Sequence, residues 1–347
     1  MHPEIINRTP LALSLLYLGA EPDGALHAVA LAQGTWRIGT DGKLGLIELQ
    51  HEAPAAGQWY GDPATTSLRL EPQTATAKPS TDVVLLGDAV ALGGKPVTQL
   101  DLSLSIALAT GAVGKRALVI GDRSLSVGLG GSSISPPQPF DRMPLVYERA
   151  FGGWDRRHED PARHRCEARN PVGVGFRDPG LPACDEPRLP NIEDPHQRYG
   201  GSGDRPAPCG FGFIGANWLP RATWAGTYDA DWDRNRKPLL PLDFDARFHN
   251  AASAGLVMPA PLGGQEWMQV EGMSERGPCR WQLPGLPAPW CAFSLRRQDR
   301  RTQRTMLDTV IIDMKQRWLT LQWRARWPLP DGPHALRAIE LRLPSAA

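Results

Sequence analysis

The chain lacks any Cys-x-x-Cys pair and any clear excess of charge. It also lacks an apolar run near the ~20 residues that a membrane-spanning helix needs. Its 5 cysteines, at 166, 184, 209, 279 and 291, are odd in number and scattered. That pattern fits free thiols in a reducing compartment better than a disulfide framework. Lys plus Arg number 38 against 37 Asp plus Glu, a net charge of +1. A strong nucleic-acid binder is usually far more basic, which argues against that class. The one targeting candidate is residues 11–20 (LALSLLYLGA) after Arg8. No small-x-small cleavage site follows, because Glu21, Pro22 and Asp23 come at once, and the stretch reads as a buried first strand. These features predict a soluble, cytoplasmic protein with neither membrane nor nucleic acid as partner.

Helical periodicity is missing as well. Gly (36) and Pro (34) together fill about a fifth of the chain, against roughly 12 % in ordinary proteins. Both disfavour helix interiors. Disorder is excluded by the 41 % apolar content and the 12 Trp.

Catalytic and metal signatures are equally scarce. Gly128-Leu129-Gly130-Gly131 lacks phosphate-loop spacing. His158, Glu159, His164 and Cys166 are ligand types without zinc spacing, and read as a polar loop. No Gly-x-Ser-x-Gly elbow occurs, and Cys209 and His249 are not linked by any spacing. The pairs Glu193-Asp194 and Asp243/Asp245 leave a hydrolase as one alternative, and the many Trp leave a carbohydrate-binding module as another. No catalytic residue, cofactor or metal ligand is assigned.

What is present is strand pattern. Val29 and Leu31 lead into Trp36 and Ile38, and Asp41-Gly42 then precedes Leu44 and Leu46, a hairpin signal. Residues 83–86 form a short apolar run. Leu100, Leu102, Leu104 and Ile106 alternate with polar residues, and 115–120 makes a further strand. Near the C-terminus, 266–270 and 280–283 are short candidates. The pair 305–314 and 318–327 is clearest: Leu319, Leu321, Trp323, Ala325 and Trp327 share one face. Arg296, Arg297, Arg300, Arg301 and Arg304 read as a solvated hairpin loop, with an acidic partner or nucleic acid as the alternative. The expected architecture is mostly β and sandwich-like, with few helices. It divides into strand-rich regions 1–135 and 256–347 and an irregular segment 136–255, which together form one compact unit or more than one.

That middle segment holds frequent Gly and Pro, 16 basic and 17 acidic groups over 141–250, and many aromatics. Rings are buried when they can be, so it reads as ordered. Its backbone groups would be satisfied by Arg, Asp and Asn side chains instead of ladders. Glu148 and Arg149 are expected to pair with each other, and Gly152-Gly153 to supply special backbone angles.

In order, the segment reads Tyr147-Glu148-Arg149-Ala150-Phe151-Gly152-Gly153, Asn170-Pro171-Val172-Gly173-Val174-Gly175-Phe176 and Leu189-Pro190-Asn191-Ile192-Glu193-Asp194-Pro195. Gly210-Phe211-Gly212, Trp218-Leu219-Pro220-Arg221, Gly226-Thr227-Tyr228-Asp229 and Trp232 follow. Leu240-Pro241-Leu242-Asp243-Phe244-Asp245 and Arg247-Phe248-His249-Asn250-Ala251-Ala252 close it. Flanking pieces are Gly34-Thr35-Trp36-Arg37, Tyr60-Gly61-Asp62-Pro63-Ala64-Thr65, Lys78-Pro79-Ser80-Thr81-Asp82-Val83 and Leu307-Asp308-Thr309-Val310. The series resembles the bacterial family labelled domain of unknown function 2169 over nearly the whole chain. Two positions depart from the family pattern: Phe213, where proline is usual, and His249, where a second aromatic is usual.

The resemblance implies a non-catalytic cytoplasmic adaptor or chaperone in type VI secretion. Its partners would be an effector, often one with a PAAR domain, and the VgrG spike. Interfaces favour Trp, Tyr and Arg. The candidate partner-binding or motif residues are Tyr147, Glu148, Arg149, Phe151, Trp154, Asn191, Trp218, Arg221, Tyr228, Trp232, Asp243, Arg247 and Asn250. For most of them the favoured reading is cement for a buried loop, whose backbone demands partners.

Overall fold

The computed structural model describes residues 2–19, 23–128, 131–186, 188–201, 203–296 and 299–344. The readings at Ala20, Leu129, Gly130 and Arg297 lie outside these residues.

The strand Trp318–Pro328 lies between His27–Ile38 and Met306–Asp313, both antiparallel to it. Ala12–Leu18 continues that sheet on one side, and Asp82–Leu86, parallel to Met306–Asp313, closes the other. The predicted Asp41-Gly42 hairpin pairs His27–Ile38 with Leu44–Leu46. In a second sheet Gln99–Leu108 sits between Gly111–Ile120 and Trp267–Glu271, with Cys279–Gln282 at one edge. A third has the order Glu4–Arg8, Leu336–Arg342, Trp290–Leu295, Arg301–Arg304. Each of these sheets joins strands from both ends of the chain. Ala30, Val83 and Leu321 of the first, Leu104 and Val270 of the second, and Phe293 and Ile339 of the third belong to one contiguous apolar core. The fold is mostly β, and among the described residues its one α-helix is Ala230–Asn235.

Three local expectations are corrected. Residues 11–20 do not form the buried first strand: Glu4–Arg8 comes first, and Ala12–Leu18 is a half-buried edge strand. The arginine-rich stretch is not all loop, because Arg301–Arg304 is itself an edge strand antiparallel to Trp290–Leu295. Glu148 and Arg149 do not pair with each other. Glu148 accepts from the Ser67 N–H and hydroxyl at 2.8 and 2.7 Å, whereas Arg149 donates to Asp122 and Asn191.

The middle segment is ordered by side-chain hydrogen bonds more than by ladders. The Asn170 amide donates to the Tyr147 and Phe151 carbonyls at 2.8 and 3.0 Å. Arg123 donates to Pro190, and the Asn191 amide to Ile120. Gly153 has φ +94°, and a Cβ there would strike the Gly173 carbonyl, so only glycine fits.

Candidate partner-binding surface

The family motifs converge first on a buried polar chain. The Lys78 ammonium donates to Asp82 at 2.8 Å and to the Thr309 hydroxyl at 2.9 Å. The Ala251 N–H donates to the same Asp82 oxygen at 3.0 Å, and the other Asp82 oxygen accepts from the Asn250 amide at 2.9 Å. Thr309 in turn donates to Asp308, whose other oxygen takes Arg324 at 2.5 Å. Arg324 also donates to Gln73 and to the Ala75 carbonyl. Three motifs far apart in sequence thus close one network in which both ion pairs are almost wholly shielded from water. Buried charges persist only when paired and hydrogen-bonded, so this network is scaffold.

Arg221 does the same for the loops around it. It pairs with buried Glu71 at 2.5 Å, donates to the Phe248 and Ile214 carbonyls, and lies over the Phe248 ring. Tyr147 packs edge-on against Trp218, and burial raises its hydroxyl pKa above the ordinary tyrosine value. Of the candidate residues, Tyr147, Phe151, Asn191, Trp218, Arg221 and Asn250 are buried, and Glu148 and Arg149 are held as described.

Trp154, Tyr228, Asp243 and Arg247 are exposed and Trp232 is half-buried. Trp154 stands apart, with Arg156 over its ring. Tyr228, Trp232 and Asp243 lie on one closed loop, and Arg247 follows just past its base. Its ends meet where the Asp245 N–H donates to the Trp224 carbonyl at 3.0 Å. Asp243 accepts from the Thr227 N–H and hydroxyl at 2.9 and 2.7 Å, which lowers its pKa. Asp229 caps the short helix by accepting from the Asp231 and Trp232 N–H groups. The Trp232 indole donates to the Leu239 carbonyl at 2.8 Å and meets Tyr228 edge-on. At the base Arg247 clasps Asp245 and covers Trp224. Hydrogen bonding to Arg247 lowers the Asp245 pKa. Tyr228 is 52 % exposed and Leu242 77 %. Leu242 is not among the candidate residues: Leu239, Leu240 and Phe244 around it are apolar too, so the sequence does not mark it as the exposed one.

A separate groove of about 280 Å³ is lined by Trp59, Pro63, Leu68, Pro171, Val172 and Trp218. The two carboxylate pairs form no common site. Glu193 is buried beside Arg123 and Arg198, Asp194 caps the His196 N–H, and the other pair serves the closed loop. Among the described residues, no three His, Cys, Asp or Glu side chains converge as metal ligands, and no helix is long and apolar enough to cross a membrane.

A family model described as "Uncharacterized protein conserved in bacteria (DUF2169)" matches residues 23–324. The chain belongs to this family. Searches of curated proteins and of solved structures returned no match. The DUF2169 match spans both the buried polar chain and the closed loop.

Proposed function

We propose that this protein is a non-catalytic cytoplasmic adaptor or chaperone. It binds a type VI secretion effector carrying a PAAR domain and helps load it onto the VgrG spike. The observation that carries the reading is the division of labour among the family's motifs. Most motif side chains are spent on buried bonds that fix irregular backbone. The exposed remainder presents Tyr228 and Leu242 on a loop braced from within. A braced loop with exposed aromatic and apolar side chains loses little entropy on docking a protein partner.

The test is recovery of partners by a tagged chain from cells expressing both a PAAR effector and VgrG. The wild-type chain recovers the effector, and the pair Tyr228→Ala, Leu242→Asp recovers much less while keeping its thermal midpoint. Recovery of neither protein by the wild type sinks the reading.

A further inference from the structure

The outer face of the four-stranded sheet carries a feature the adaptor reading leaves unused. Register places Arg304, Trp290, Arg342 and Arg8 side by side in one row across all four strands. Directly paired residues share a face about 4.7–4.9 Å apart from strand to strand. The contacts agree: Arg304 lies over the Trp290 ring at 5.6 Å, and Arg8 and Arg300 both grip Glu340, which occupies the next row on the same face. Among the described residues of these four strands, Glu4, at the far edge of that face, is the other acid on it. Arg304 and Arg342 therefore flank a half-buried ring, and neither meets a carboxylate among the described residues. Arg342 also stands directly opposite Arg8, and like charges so placed repel.

We infer that this row is a docking face for an acidic polypeptide segment of a partner protein. Guanidinium groups match carboxylates in a fork geometry, and on this face Glu340 already holds Arg8 of the row and the neighbouring Arg300 by one contact each. A single-stranded nucleic acid is disfavoured. Its binding sites align several rings for successive bases, whereas Trp290 is the one ring in this row. The inference deepens the adaptor reading and rests on it for the partner being a protein.

The experiment measures fluorescence anisotropy of a labelled Glu-rich peptide, with an oligothymidylate of equal charge as comparison. The wild type binds the peptide more tightly than the oligonucleotide, and added salt weakens the binding. The pair Arg304→Glu, Arg342→Glu loses about tenfold or more in affinity, as truncated charge pairs do. Arg163→Glu, an exposed site elsewhere, changes nothing. The milder pair Arg304→Gln, Arg342→Gln guards against misfolding and also weakens binding. Unchanged affinity in both pairs, no peptide binding, or preference for the oligonucleotide overturns the inference. The same variants go into the effector recovery assay. If they recover as much effector as the wild type, this face is refuted and the adaptor reading stands. If the wild type recovers no effector, the adaptor reading fails, whatever the peptide shows.

Discussion

Asp82 is the residue on which the most depends. It accepts from Lys78, Asn250 and the Ala251 N–H with no exposure to water. Asp82→Ala strands a buried ammonium and an amide together, which destabilises by about 3–5 kcal/mol. A lower urea midpoint with an unchanged slope is the expected result. Arg247→Ala, at an exposed pair, leaves the midpoint nearly still. Asp155 argues for a pH effect. Burial raises its pKa, but the Arg157 guanidinium and the N–H groups of Asp178 and Arg157 outweigh burial and hold it below the usual carboxylate range. The folded chain therefore binds this proton more weakly than the unfolded one. Its contribution is complete above the unfolded value of about 3.9 and is lost as pH falls below it. Urea midpoints should fall on the acid side, and Asp155→Asn should flatten that slope. An identical acid slope in the variant would assign the effect to other groups, such as Glu167, whose pKa is also lowered.

Elements with a period of 2 were legible, because alternation records burial directly. The alternating stretches 100–106 and 318–327 lie within the strands Gln99–Leu108 and Trp318–Pro328. The pattern missed that Gln322 and Arg324 are buried as well, since their partners Gln33 and Asp308 lie on other strands. The middle segment was legible as ordered, from its rings and matched charges, but not in its connections. Asn250 meets Asp82 across 168 residues, and no local spacing encodes such a bond. The candidate site suffered the same ambiguity: an Arg or Trp in a motif looks alike whether it cements a loop, as Arg221 does, or stands exposed, as Trp154 does. The closed loop follows its own logic. Its hydrogen bonds are mostly internal, so it can open without the core. Asp229→Ala removes the helix cap, weakening the short helix by about 1 kcal/mol. Hydrogen exchange should quicken across residues 231–236 while the global midpoint stays put, because the opening is local. A matching drop in the global midpoint would instead tie this loop to the core.

At the scale of the whole molecule, strands from both ends interleave in every large sheet, and the apolar core crosses all of them. A chain built this way cannot release one end without opening the other's sheets, so it should unfold as a unit. Two cysteines report on this from different places. Cys209 lies in the irregular segment and Cys291 in the four-stranded sheet, and both belong to the same core. Burial pushes their thiols up to about 11 and about 12, so both are protected from alkylation at neutral pH while folded. Brief alkylation across a urea series, read by mass spectrometry, should expose both at one midpoint. Separate midpoints, with Cys291 labelled first, would mean that the four-stranded sheet opens independently, and the shared core would then not be what couples the two ends of the chain.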